Sequence, residues 1–231
     1  TLDYLDGIVR HSVIDRSVVF TVEEWFSRSE DVLAKIQKQF KETIVIVRSS
    51  AMDEDNLRGS KAGYYYSELD VPSNDRERLQ EAIESVVESY SKNARTVKTS
   101  DQVFVQRQIQ DARISGVLLT RDPRLNAPYY VVNYDDISGQ TNTVTAGLSS
   151  RVLRIVKWLP IGRLKEPWRK LIVATRELEH IFSGHAINIE FAIGKETQIH
   201  IFQVRPLLIT SHLSEISELQ LQAFIRRTKN K

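Results

Sequence analysis

The sequence predicts an α+β protein in which antiparallel or mixed sheets are flanked by helices. Strand and helix patterns follow one another irregularly, without the repeated strand–helix–strand units of a parallel sheet. Apolar residues at helical spacing indicate helices that begin at Thr21 and near residues 29, 74, 167 and 214. Runs of β-branched or alternating apolar residues indicate strands near residues 17–20, 43–50, 64–71, 102–109, 114–120, 128–134, 187–193 and 198–204.

Length and composition limit the kind of protein. The chain has 231 residues, a net charge of +2 and no cysteine, so it has no disulfide or thiolate metal site. It is long enough for one large or two small domains. No signal peptide and no apolar run of membrane-spanning length are visible, and the five histidines fit no metal-binding spacing. These features favour a cytoplasmic protein.

A hairpin near the end of the chain is the most informative stretch. Its two strands are joined by a turn at residues 194–197. If the strands pair directly from that turn, Asn188 lies opposite Gln203, and Glu190 lies opposite Ile201. This register is the prediction that the structure can test.

One face of the hairpin is predicted to carry the chemistry. Because side chains alternate between faces, His200 is expected to project away from Glu190. The face of Glu190 then holds a carboxylate, two amides and a guanidinium, from Asn188, Glu190, Gln203 and Arg205. Mg²⁺ prefers oxygen ligands and substrate phosphates, and arginine grips phosphate. The alternative is the solvent-exposed face of an ordinary hairpin.

A second candidate site begins where the buried strand at residues 43–50 ends. Arg48 supplies a fixed charge, and Ser49, Ser50 and the backbone N–H groups of the next loop supply neutral donors. Lys61 could add a second charge. These groups suit a triphosphate, and the alternative is a surface loop capped by serine.

Three other stretches have both a functional and a structural interpretation. Arg121 or Asp122 could face a ligand, although Asp-Pro pairs are common in turns. The polar segment at residues 135–150 could cradle phosphate, but a solvated loop is favoured, and this loop could open another strand at 143–145. The basic stretch at residues 151–170 could bind a polyanion, but a solvated helix face is favoured over nucleic-acid binding.

Several of these stretches occur together in one order, as VRSSAMDEDNLRGSKAG at 47–63, DQVFVQRQIQ at 101–110, SGVLLTRDP at 115–123, and NIEFAI with QVRPL at 188–193 and 203–207. In this order the chain resembles the ATP-binding domain of the phosphoenolpyruvate synthase and pyruvate phosphate dikinase family, which has an ATP-grasp fold. The resemblance implies a nucleotide-binding domain at residues 43–210. It also implies an N-terminal segment at 1–42 that packs on this domain and a helical tail or linker at 211–231.

The resemblance implies roles for individual residues. Arg48 resembles the family arginine that contacts the ATP phosphates, and Arg205 resembles the arginine near the transferred phosphoryl group, which makes both candidate catalytic residues. Glu190 and Gln203 resemble the pair that holds Mg²⁺. The remaining contacts to ATP would come from Ser49 and Ser50, and from Gln106, Gln108 and Ile109 beside the adenine.

In this family ATP is cleaved, and a phosphoryl group passes to a histidine on a separate swivelling domain and then to pyruvate. We therefore expect a Mg-ATP-binding kinase or transferase module that works with phosphohistidine and acceptor-binding domains, and with neither membrane nor nucleic acid. Two departures favour an alternative, a non-catalytic nucleotide- or protein-binding regulatory module. The family's Gly-Gly-Lys loop is not found, and Asn188 stands where the family commonly has Asp.

Overall fold

The computed structural model of the chain describes residues 2–50, 66–91, 97–110, 112–138, 151–209 and 215–229. Contacts within the chain divide it into two compact units. The small unit is Asp15–Gln108, and the large unit combines Thr1–Ile14 with Ile109–Lys231. Residues 15–42 therefore group with the strand that follows them. The predicted division at residues 42 and 210 stays a prediction about domains.

The small unit is a sheet covered by helices. Its strands are β2 (Ser17–Thr21), β3 (Ile44–Ser50), β4 (Ser67–Pro72) and β5 (Gln102–Arg107), paired antiparallel in the order β2-β5-β3-β4. Helices α2 (Val22–Phe40) and α3 (Arg76–Ser89) supply the other half of one hydrophobic core. The odd-numbered residues of β3 and β5 enter this core, including Val45, Val47, Val103 and Val105.

Helix α2 begins as the sequence predicts. The Thr21 hydroxyl accepts a hydrogen bond from the Glu24 N–H at 3.1 Å, and the Glu24 carboxylate accepts one from the Thr21 N–H at 2.8 Å. This reciprocal arrangement satisfies two backbone donors at the start of the helix. Arg28 departs from helical geometry and divides α2 in two, next to the predicted second start near residue 29.

The large unit is built on a mixed sheet. Its strands are β1 (Val13–Ile14), β6 (Ile114–Leu119), β7 (Tyr129–Asp135), β8 (Arg151–Val156), β9 (Ile187–Ile193) and β10 (Ile199–Pro206). They lie in the order β1-β10-β9-β6-β7-β8, and β1 runs parallel to β10 while the other neighbours are antiparallel. The helices are α1 (Leu2–Leu5), α4 (Trp168–Ile181) and α5 (Glu218–Lys229), with a 3-10 turn at Ile161–Arg163.

Strands β6 and β7 approach each other closely at a glycine. A Cβ atom on Gly116 would lie 2.2 Å from the carbonyl oxygen of Asn133. No larger residue fits there without moving the β7 backbone, which explains a glycine inside a strand.

The predicted mixture of antiparallel and mixed sheets with flanking helices is confirmed. One element was wrongly expected, because residues 151–156 form strand β8 and not a helix face. This strand lies at the edge of the sheet, where charged side chains block further pairing. The predicted strand at 143–145 and the loop at 51–63 lie outside the described residues. None of the described helices is long and apolar enough to cross a membrane.

Candidate functional site

The β9–β10 hairpin pairs in a different register from the predicted one. Glu190 lies opposite Gln203, and Asn188 lies opposite Arg205. The predicted pairings of Glu190 with Ile201 and of Asn188 with Gln203 are therefore wrong. Two displacements of one residue each produce the difference. At the turn, Ile193 pairs with Ile199 and not with Gln198, and a β-bulge between Ile201 and Gln203 adds a second residue to β10.

The bulge decides which β10 side chains share the face of Glu190. His200, before the bulge, lies opposite Ala192, and Gln203 and Arg205, after it, lie opposite Glu190 and Asn188. Opposed residues of an antiparallel pair project from the same face. The structure thus brings Asn188, Glu190, Gln203 and Arg205 onto one face. The prediction that His200 points the other way is wrong, because the displacement at the turn puts His200 opposite Ala192, and the bulge restores the predicted parity only from Gln203 onward.

A hydrogen-bond network links three of these side chains. The carboxamide of Gln203 satisfies both neighbours in one orientation, which we assign from its partners. Its nitrogen then donates to Glu190 Oε1 at 3.2 Å, and its oxygen accepts from Arg205 Nε at 2.8 Å and from Nη2 at 2.5 Å. Gln203 therefore fixes the Arg205 guanidinium relative to the Glu190 carboxylate.

The Asn188 side chain completes this face. Its Oδ1 atom is buried and has no hydrogen-bond partner among the described residues. On the other side of β9, Glu190 lies opposite Val117 of β6, and Asn188 lies opposite Leu119. A buried amide oxygen without a partner costs free energy unless a ligand supplies the missing interaction.

The oxygen atoms on this face suit a metal ion that is also coordinated by phosphate oxygens. The described residues contain no group of three or more His, Cys, Asp or Glu side chains that could hold a metal ion. Glu190 would be the only carboxylate among this set of ligands, with the Asn188 amide oxygen. The Gln203 oxygen already accepts two hydrogen bonds from Arg205, so it would have to exchange one of them for the metal. Mg²⁺ is commonly held by one or two carboxylates together with substrate phosphates, so this set suits Mg²⁺ bound with a nucleotide.

The small unit holds the other predicted nucleotide contacts. Arg48 is half-buried in β3, opposite Phe104 of β5. Gln106 is 2% exposed, and its Oε1 atom has no hydrogen-bond partner among the described residues. Even-numbered residues of these strands share one face, so Arg48, Phe104 and Gln106 lie together away from the helix-covered core. The sequence reasoning missed Phe104, and only its register opposite Arg48 identifies it.

The remaining predicted contacts are placed differently. Ser49 projects to the opposite face from Arg48, where its Oγ atom is buried and unpartnered among the described residues. The Gln108 carboxamide and Asp70 form reciprocal hydrogen bonds of 2.7 and 2.8 Å. Ile109 belongs to the large unit. The side chain of Ser50 and all of Lys61 lie outside the described residues.

The Arg121–Asp122 pair has structural partners. Arg121 donates to the carbonyl oxygen of Ile216 at 2.8 Å and pairs with Glu215 at 3.0 Å, which ties the start of the C-terminal segment to the β6–β7 turn. Asp122 is 1% exposed. Burial alone would raise the pKa of its carboxyl, but the N–H groups of Leu125 and Arg124 and the Arg154 guanidinium lower it below its ordinary value.

Most of the basic stretch is paired within the large unit. Ion pairs join Arg151 to Asp136, Arg154 to Asp122, Lys157 to Glu179 and Arg169 to Glu166. Asp135, at the end of β7, accepts hydrogen bonds from the N–H groups of Ile137 and Ser138. These contacts give structural partners to four of the basic residues and to Asp135.

The chain belongs to the family of the pyruvate phosphate dikinase AMP/ATP-binding domain, whose model matches residues 7–152. It is therefore a nucleotide-binding domain, and the resemblance seen in the sequence is confirmed. The matched range includes Arg48 and Gln106 and ends before the β9–β10 hairpin. A comparison with curated protein sequences found no match.

One of the similar solved structures has a TM-score above 0.5 and supports the fold. PH1788 from Pyrococcus horikoshii is 12% identical, with a TM-score of 0.54 over 85% of each chain. D-alanyl-alanine synthetase A from Vibrio cholerae is 14% identical, with a TM-score of 0.49 over 99% of this chain and 63% of that one. VanG D-Ala:D-Ser ligase from Enterococcus faecalis is 14% identical, with a TM-score of 0.46 over 93% and 52%. The chain thus spans between half and two-thirds of the length of these two enzymes. The predicted α+β, ATP-grasp-like fold class is confirmed.

Proposed function

We propose that the chain is the Mg-ATP-binding module of a phosphoenolpyruvate synthase-like phosphotransferase, which passes a phosphoryl group to a histidine on a separate domain. The observation that carries the proposal is the network on the hairpin face. Gln203 links the Glu190 carboxylate to the Arg205 guanidinium, beside the unpartnered amide oxygen of Asn188. This combination presents a metal-binding oxygen next to an oriented phosphate-binding cation.

The residues of the hairpin have distinct roles in this proposal. Glu190 and the amide oxygen of Asn188 would hold Mg²⁺, joined by the Gln203 oxygen if it exchanges one of its two Arg205 hydrogen bonds for the ion. When bound, Mg²⁺ would neutralise charge on the phosphates. Arg205 offers its guanidinium to the phosphoryl group that is transferred. The Gln203 oxygen fixes the orientation of this guanidinium before the nucleotide arrives, and such preorganisation is the main source of catalysis in phosphoryl transfer.

In the small unit, we propose that Arg48 contacts phosphate and that Gln106 contacts the nucleotide through its unpartnered oxygen. Ser49, Ser50, Gln108 and Ile109 stay candidate contacts from the family resemblance. A cytoplasmic location and phosphohistidine and acceptor-binding partner domains also remain proposals.

The experiment compares two substitutions on one hairpin. Glu190→Gln removes the proposed metal carboxylate, whereas Glu196→Gln removes an exposed carboxylate in the β9–β10 turn. Loss of one charged metal ligand is expected to weaken Mg²⁺-dependent ATP binding about tenfold or more, since a charge-assisted contact contributes over 1.4 kcal/mol. Titration calorimetry with Mg²⁺ measures the effect. Equal affinities for the two variants would remove Glu190 from the proposed site.

A second candidate function is a non-catalytic nucleotide-binding module. The specific observation in its favour is that Asn188 leaves a single carboxylate on the hairpin face. Such a module would bind ATP equally well with Mg²⁺ and with EDTA, and Glu190→Gln would leave that affinity unchanged.

A further inference from the structure

A cleft lies within the large unit. Its volume is about 520 Å³, inside the range of ligand pockets. It is lined by residues 10–13 before β1, by the first turns of α4 and by the turn between β9 and β10. None of the proposed nucleotide contacts is among its lining residues.

Most of the charged side chains that line the cleft are cationic. Arg10, Arg169 and Lys170 line it, with Glu166 as the single lining carboxylate. Glu166 is already engaged, because it pairs with Arg169 at 2.6 Å. Lys170 donates to the side chain of Thr197 in the hairpin turn. The excess of positive charge favours an anionic ligand.

Two donors in this cleft lack partners. The Arg10 guanidinium makes no hydrogen bond or ion pair with the described residues. The Oγ atom of Ser12 is buried and has no partner there either. A buried hydroxyl without a partner is unfavourable, and an anion accepting from both donors would satisfy them.

The segment that carries Arg10 and Ser12 contacts both α4 and β10. Glu177 of α4 accepts hydrogen bonds from the N–H groups of Arg10 at 2.9 Å and of His11 at 3.0 Å. Next along the chain, Val13 pairs with His200 of β10. These contacts fix the backbone of Arg10 and Ser12 before a ligand arrives, which reduces the entropy cost of ordering this segment on binding.

We propose that this cleft binds a small organic anion, a carboxylate or phosphate monoester with a short apolar body. Arg10 and Ser12 contact the anionic group. The apolar body packs on Val13, Val173 and Ile199, which also line the cleft. The site is separate from the proposed nucleotide site, and its existence does not depend on ATP binding.

The experiment uses three probes that share one ring: benzoate, phenyl phosphate and the neutral benzyl alcohol. Backbone amide NMR of the full chain reports where each probe binds. We expect at least one anion to shift the amides of Ser12 and Lys170 saturably, with or without ATP, while benzyl alcohol leaves them unmoved. Shifts caused by only one of the two anions would identify carboxylate or phosphate as the preferred anionic group. Shifts from neither anion, equal shifts from benzyl alcohol, or displacement by ATP would overturn the proposal.

Matched variants test the donors. Arg10→Gln is expected to weaken anion binding about fivefold, the effect of about 1 kcal/mol at an exposed charge. Arg113→Gln removes the same charge from an exposed position outside the lining and should not change the affinity. Ser12→Ala should weaken binding without lowering thermal stability, because the hydroxyl has no partner to lose. Equal affinities for the two arginine variants would contradict the proposal.

Discussion

At the scale of single residues, Gln203 determines the chemistry of the hairpin face. Its carboxamide joins a carboxylate to a guanidinium, so neither group is oriented alone. The alternation of side chains along the two strands predicted which four share this face. Their types predicted that the face suits Mg²⁺ and phosphate. The sequence did not predict that Gln203 lies opposite Glu190, since this register combines a displacement of one residue at the turn with the bulge between Ile201 and Gln203.

Asn188 offers the sharpest residue-scale test. Asn188→Asp adds a second carboxylate beside Glu190, in a site proposed to hold Mg²⁺. We expect ATP binding with Mg²⁺ to strengthen about tenfold, since a charged ligand replaces a neutral one. ATP binding in EDTA should weaken, because the added charge repels phosphate. Calorimetry under both conditions measures the two effects.

Asn133→Asp provides the control for this test. Val117 of β6 lies opposite Glu190 on one side and opposite Asn133 of β7 on the other. Asn133 therefore shares the face of Glu190 but lies on a different strand. The same charge change there should have a smaller effect in both conditions. If Asn188→Asp and Asn133→Asp behave alike, Asn188 does not contact the metal.

At the scale of elements, the apolar pattern of β10 contained a sign of the bulge. Ile199 and Ile201 are buried, but the next buried residue is Val204, three positions on and not two. The apolar Phe202 concealed this break in alternation. Strand β8 was missed for a related reason, because its arginines at positions 151 and 154 suggested a charged helix face while its remaining residues are β-formers.

Helix α2 was predicted correctly because its signals are local. Thr21, Glu24 and the buried Val32, Leu33, Ile36 and Phe40 all follow from spacing along one helix. Strand register depends on residues far apart in the chain, so local patterns define it poorly. This difference explains why the helices of the small unit were predicted better than the hairpin pairing.

The cap of α2 gives an element-scale prediction. Thr21→Ala removes the acceptor of the Glu24 N–H and should lower the free energy of unfolding by about 1 kcal/mol. Thr21→Ser keeps the hydroxyl and should retain most of the stability. Urea denaturation of the three proteins measures the difference. A Thr21→Ala variant as stable as Thr21→Ser would show that the cap contributes little.

At the scale of the whole molecule, the family match and the hairpin concern different parts of the chain. The family model covers residues 7–152, which include the small unit and its Arg48. The hairpin lies beyond this range, and its interpretation rests on Asn188, Glu190, Gln203 and Arg205. Nucleotide binding is therefore shown by the family, whereas Mg²⁺ dependence is the claim that the hairpin geometry adds.

The most direct measurement is a calorimetric titration of the full chain with ATP, first with Mg²⁺ and then with EDTA. The account predicts that binding with Mg²⁺ is at least about tenfold tighter, because the Glu190 face and the phosphates would hold the ion together. Equal affinity in both conditions would contradict the proposed metal site and support the non-catalytic module. No binding in either condition would contradict the enzymatic interpretation of this chain.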